Sequence, residues 1–176
     1  WTGTGGLADV AAERPVTPDT AFAVASMSKT FTAALILRLV EDGKLSLDDR
    51  VAPLLPDVKV GRTITVRMLL DHTSGLADFF FGPGIDRALL ADRARTWTAA
   101  RALRYVGPRR YLPGKGWNYS NTNYLLLGLI AERVGGAPFA VLIRERFLDQ
   151  LGLTGAYVQA VEAPRGPLTR GYRFDG

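Results

Sequence analysis

The chain has 176 residues, with 47% hydrophobic and 22% charged, which is the composition of an ordinary globular protein of one domain, or one and a part. Cysteine is absent and histidine occurs once, at His72, which excludes disulfides, thiolate chemistry and metal clusters built on His or Cys; no motif for a cofactor is read in the chain. The net charge of +5 is scattered, with Arg109-Arg110 the only adjacent basic pair, so nothing marks a nucleic-acid surface; the apolar run Ala33–Leu37 is far below the ~18 residues that span a bilayer.

Trp1 to Val10 is rich in small residues and reads as the end of a sheet strand turning at Ala8-Asp9. Gly3-x-Gly5-Gly6 is not followed by a helix, so it fits a strand bend better than a dinucleotide site. Pro15, Pro18 and Asp19 mark a loop, and Ala21–Ala25 is a short apolar run. Next comes Ser26-Met27-Ser28-Lys29, opening a helix predicted to run to about Asp42, with Gly43 at the place of a left-handed cap. Between Thr30 and Val40 only Arg38 is charged, which predicts burial on nearly every side.

Ser26 and Lys29 are three residues apart, so a helix sets them on one face, one turn apart, where free N–H groups and the positive end of the dipole favour a developing alkoxide. Two readings stand. Ser26 is a cap with a lysine in the first turn, or it is a nucleophile whose proton passes to a lysine driven by burial towards its neutral form.

Beyond Gly43, Ser46 and Asp48 offer caps for a short helical segment through Val51, bounded by Pro53 and Pro56. Thr65 is a predicted cap for a brief helix that runs into the polar loop Asp71-His72-Thr73-Ser74-Gly75-Leu76. Phe79-Phe80-Phe81 with Gly82-Pro83-Gly84 reads as a flexible aromatic loop, either bordering a cleft or covering the core. Helical spacing returns at Ile85–Leu90 and Thr98–Val106, and a turn-rich stretch from Tyr111 leads to Asn118-Tyr119-Ser120-Asn121. A further apolar helix is predicted from about Thr122 to Val134, closed by Gly135-Gly136, and a last one from Pro138 to about Leu148.

Tyr119-Ser120-Asn121 again puts polar groups at the mouth of an apolar helix. Each has an ordinary reading, as helix cap or half-buried aromatic. With Ser26 and Lys29 they make a fuller set: a phenol beside a protonated lysine favours its phenolate and can accept and relay the serine proton, and an asparagine amide can donate to a substrate carbonyl.

Ser26-Met27-Ser28-Lys29 before an apolar helix, then Leu69-Leu70-Asp71-His72-Thr73-Ser74-Gly75-Leu76, then Tyr119-Ser120-Asn121, in that order, resemble the serine β-lactamase and penicillin-binding-protein superfamily. The pattern is similar to the branch with class C β-lactamases, D-Ala-D-Ala carboxypeptidases and related esterases, because Tyr-Ser-Asn stands where other branches have Ser-Asp-Asn. The resemblance covers essentially the whole chain. It implies a β-lactamase/transpeptidase-like α/β (α+β) fold, with part of a sheet domain in residues 1–60 and a mostly helical region in 61–176. It implies Ser26 as the acylated nucleophile, Lys29 as its proton-sharing partner, Tyr119 as the base and Asn121 as a substrate-amide contact, with His72 structural. The substrate is then a small molecule or peptide bearing an amide, lactam or ester carbonyl, met in the periplasm or outside the cell.

The resemblance also leads one to expect a Lys-Thr-Gly-type motif on an inner strand after the helical region. Arg170-Gly171-Tyr172 has the wrong composition and lies ahead of where the sheet should resume. The chain therefore reads as the nucleophile half of a site within a longer protein. A non-catalytic relative that binds peptides or self-associates is the alternative, and the intact Lys29 and Tyr119 argue against it.

Overall fold

The computed structural model describes residues 1–92 and 95–172. Its frame is a pair of helices lying against each other, α1 (Ser28–Glu41) and α6 (Asn121–Gly135). On α1 the buried residues are Thr32, Leu35, Ile36 and Leu39, a stripe at helical spacing. The expected burial on nearly every side does not hold, for Leu37 and Arg38 are exposed and Ala33 and Ala34 only partly covered. Among the described residues the cover comes from α6 and α7 on one side, and that leaves the opposite face open. The C-terminus closes as the sequence predicts: Gly43 has φ +69°, its N–H bonds the Val40 carbonyl at 3.0 Å, and the Lys44 N–H reaches back to Leu39 at 2.9 Å.

Between these helices in sequence lie α2 (Val51–Leu54), α3 (Val66–Leu70), α4 (Ile85–Ala91) and α5 (Ala99–Ala102). Ser46 and Asp49 make a turn ahead of α2, and Pro53 sits inside that short helix instead of bounding it. Thr65 caps α3, its hydroxyl accepting the Met68 N–H at 3.4 Å. After α6, Gly136 takes φ +74°, and the chain bends by 81° into α7 (Phe139–Ile143), which widens into a looser turn through Leu148. Gly135 allows that close return, since a Cβ there would stand 2.7 Å from a Leu142 methyl. Pro138 precedes α7 instead of occupying its first turn.

Leu35, Ile36 and Leu39 pack with Val51, Ile64, Val66, Leu69, Leu126, Leu127 and Ile130 in one apolar cluster. The core draws on residues from both sides of residue 60.

Strand is scarcer than the sequence predicts. β1 covers only Leu7–Asp9 and pairs antiparallel with β2 (Arg14–Pro15). Gly3, Gly5 and Gly6 bring no side chains to a sheet face, and Gly6 already turns at φ +81°. The segment leading to Tyr172 returns to this hairpin: the Arg170 N–H bonds the Ala8 carbonyl at 2.9 Å, its guanidinium pairs with buried Asp9 at 2.9 Å, and the Tyr172 hydroxyl accepts the Val10 N–H at 2.6 Å. Arg170-Gly171-Tyr172 thus runs beside the first strand. The protein is mostly helical, with a small sheet at one end.

Candidate active site

The predicted helix start at Ser26 divides in two. Residues Ala25–Met27 form a single 3₁₀ turn, and the α-helix proper begins at Ser28. The tighter winding keeps residues three apart in line, so Ser26 and Lys29 remain on one side. Ala25, immediately before the serine, is held at φ +45°, a conformation that L-residues other than glycine seldom take. The Ser28 hydroxyl fastens this turn by donating to the Ala25 carbonyl at 2.7 Å.

The second set of residues arrives at the head of α6. Ser26 Oγ lies 2.8 Å from Tyr119 Oη, and Lys29 Nζ donates to Ser26 Oγ at 3.2 Å and to Asn121 Oδ1 at 2.7 Å. All four sequence-predicted site residues therefore meet, across 93 positions of chain between Ser26 and Tyr119. The serine is exposed, Tyr119 is 39% exposed, and Lys29 is only part-buried, so the lysine is less desolvated than the sequence reading required. Burial pushes the Tyr119 phenol up, but the Lys29 ammonium and the Ser26 hydroxyl beside it outweigh that, and the net direction is down.

The orientation of the Asn121 amide follows from its partners. Lys29 can only donate, so the oxygen faces it; Nδ2 turns the other way and donates to Asp78 Oδ2 at 2.8 Å. The same Asp78 oxygen accepts the Asn121 backbone N–H at 3.1 Å, and its other oxygen accepts the Phe80 N–H at 2.9 Å. Asp78 thus supplies the cap for α6 from 43 positions away, a role the sequence reading had given to Ser120 or Asn121. Ser120 does precede the helix, but among the described residues its buried hydroxyl has no hydrogen-bond partner.

Beneath this layer sits His72, buried and at φ +64°. Its Nδ1 accepts the Ser120 N–H at 3.2 Å and stands 3.1 Å from Asn123 Nδ2, whose oxygen in turn accepts from Ser74 Oγ at 2.6 Å. A backbone N–H can only donate, so Nδ1 carries the lone pair and the ring is neutral. Burial, with the Lys29 charge second, holds its pKa below the ordinary histidine value. Of this neighbourhood, His72 was expected to be structural, whereas Asp78 was missed. The signal for Asp78 was available in outline, as a lone acidic residue opening an aromatic turn.

An apolar cavity of about 660 Å³ opens beside the serine, lined among others by Ser26, Lys29, Phe79, Phe80, Leu125 and Phe139. Phe79–Phe81 is a 3₁₀ turn capped by Asp78, and two of its rings border this cleft, which decides between the two readings of the aromatic stretch. No single helix among the described residues is long and apolar enough to cross a membrane.

The family model described as Beta-lactamase matches residues 1–176, and the chain belongs to that family. Among its relatives is penicillin-binding protein 4* of Bacillus subtilis, 36% identical over 152 residues that make up 84% of this chain and 33% of the relative. Esterase EstB of Burkholderia gladioli is 34% identical, over 91% of this chain and 44% of its own. The D-amino acid amidase from Ochrobactrum anthropi SV3 superposes with a TM-score of 0.78 at 31% identity, covering 96% of this chain and 50% of the amidase. The chain spans about a third to a half of the length of these relatives.

Proposed function

We propose that the protein is a serine hydrolase working through an acyl-enzyme on an amide, lactam or ester carbonyl. The observation that carries this reading is a single exposed serine oxygen within hydrogen-bond reach of both a lysine and a lowered-pKa tyrosine. Tyr119, as phenolate beside the Lys29 ammonium, takes the Ser26 proton while Ser26 Oγ bonds the carbonyl carbon. The carbonyl electron pair moves onto oxygen, where the Ser26 backbone N–H is one donor to it. Collapse expels the amine or alkoxide, which leaves with the proton from Tyr119. Water then gives a proton to Tyr119 and attacks the acyl carbon, and as the Ser26 Oγ–carbon bond breaks Tyr119 returns that proton to Oγ, freeing the acid and restoring the serine and the phenolate. Asn121 has a second Nδ2 hydrogen beyond the one given to Asp78, and this would serve a substrate carbonyl.

The relatives include penicillin-binding proteins, an esterase and a D-amino acid amidase, so the substrate panel is a chromogenic cephalosporin, a D-Ala-D-Ala peptide, a p-nitrophenyl ester and a D-amino acid amide. The proposal extends to a periplasmic or extracellular setting, which cell fractionation checks. The deciding experiment is labelling of the intact protein with a fluorophosphonate followed by peptide mass spectrometry. The adduct is expected on Ser26 and absent from Ser26→Ala; an adduct on Ser28, Ser74 or Ser120 would remove the basis of the assignment.

A further inference from the structure

We propose that Asp78 is a positioning residue of this site: its buried carboxyl fixes the amide of Asn121 so that the oxygen, and not the nitrogen, faces Lys29. The inference rests on the reading of Ser26, Lys29 and Tyr119 as the acyl-transfer set. Asp78 is 4% exposed; among the described residues its hydrogen bonds reach the Ser26–Lys29–Tyr119 cluster through Asn121, and its charge adds a smaller direct push that raises the Tyr119 phenol.

The geometry admits one arrangement. Asp78 takes three N–H groups, from the Asn121 backbone, the Asn121 amide and Phe80, which engages both of its oxygens. An asparagine amide by itself has two orientations of nearly equal shape, related by a half-turn about its last bond. In the wrong one, the NH₂ group would point at the Lys29 ammonium, and two donors would face each other at the 2.7 Å now spanned by a hydrogen bond. Lys29 would then lose the partner that holds it within 3.2 Å of Ser26 Oγ. An acceptor-only group behind Nδ2 removes that choice. Asp78 is itself held, because the neighbouring Phe79 N–H is bound by Thr122 Oγ1 at 2.9 Å, and that hydroxyl donates to the Ala77 carbonyl at 2.7 Å. Two successive residues of the Ala77–Phe79 segment are thus tied to successive residues of α6.

The test is steady-state turnover of a p-nitrophenyl ester by the intact protein and its Asp78→Ala, Asn121→Ala and doubly substituted forms. Rates are expressed per Ser26 titrated with fluorophosphonate, so that partial folding does not enter them. A lost alignment of this kind costs about 10²-fold in kcat, whereas KM should stay within about threefold. Because Asp78 acts through Asn121, the double variant should be no slower than the slower single one. Asp78→Asn keeps the outline of the side chain but sets an amide nitrogen against the N–H groups, and it carries the same comparison if Asp78→Ala does not fold. Losses that multiply in the double variant, or a kcat left unchanged by removing the carboxyl, would overturn the proposal. Ser26→Ala is run alongside, with its rate expressed per mole of folded protein: full turnover by that variant would instead sink the hydrolase reading, whatever Asp78 does.

Discussion

His72 lies under Tyr119, with ring centroids 4.7 Å apart and planes inclined by 34°. A second tyrosine, Tyr124, lies 5.2 Å from the same imidazole, and Lys29 Nζ stands 5.1 Å and 5.6 Å from the two tyrosine rings. The sole histidine is therefore the floor on which the phenol rests. It meets Ser120 and Asn123 through Nδ1, and Ser26 reaches it only through Tyr119.

His72→Ala should accordingly cost stability more than chemistry. It leaves the Ser120 N–H and the Asn123 amide without their acceptor, a loss of about 1–3 kcal/mol for a buried donor. The denaturant midpoint should fall, with turnover per folded molecule reduced by less than the ~10²-fold expected when an acid–base group is removed. A variant of unchanged midpoint and turnover lowered by that much or more would make His72 part of the proton path.

The same residue sets a pH dependence. Folded His72 resists protonation, so below the ordinary value of 6.5 the unfolded chain binds more protons than the native one. Its contribution is complete above 6.5 and is lost progressively as pH falls through the window beneath. His72→Asn, which tolerates the positive φ and offers an oxygen at a similar place, should flatten the stability profile in that window. Equal slopes for native protein and variant, measured by urea unfolding at a series of pH values, would count against this account.

Tyr119→Phe keeps the ring over His72 and removes the hydroxyl that faces Ser26. Acylation should slow by ~10²-fold or more, the size of a lost general base. The native acylation rate should rise with pH as the phenol ionises, with its midpoint below 10, because the site lowers the tyrosine. The phenylalanine form should lose that limb. Retention of the rising limb in Tyr119→Phe would assign the proton to another group, Lys29 first among them.

Gly82→Ala tests the support of the aromatic turn. The backbone there is ordinary, at φ −74°, so the requirement is one of space: a Cβ would collide with the Tyr105 carbonyl oxygen. Overpacking against backbone costs about 1–3 kcal/mol. Because Gly82 closes the Phe79–Phe81 turn that begins at Asp78, fluorophosphonate labelling of Ser26 should slow as well. A midpoint equal to that of the native protein would show that the turn adjusts freely.

Local chemistry made much of this structure readable. Gly43 and Gly136 end their helices because only glycine takes the left-handed cap without cost, and Thr65 caps α3 with its own hydroxyl. The four residues at the serine were legible because polar groups stand at the mouths of two apolar helices and the motifs resemble one family; the structure brings the two mouths together. Long-range contacts outside those motifs were not readable. Nothing near Asn121 in sequence points to Asp78 as the cap of α6, and nothing in the sequence shows that the chain between His72 and Tyr119 folds back to stack their two rings. The strand over Trp1–Val10 was overestimated because a glycine-rich stretch resembles a bent strand until its partner is known.

Ala25 sets comfort of the backbone against readiness of the serine. Its left-handed φ of +45° directs the chain so that Ser26 leads into the helix with its oxygen free towards Lys29 and Tyr119. Such a conformation costs an alanine roughly 1–2 kcal/mol, and Ala25→Gly would relieve it. Relief of that kind is a known trade between durability and activity. A screen for heat resistance run without an activity assay would select glycine at this position, and would return a sturdier protein in which Ser26 is loosely held.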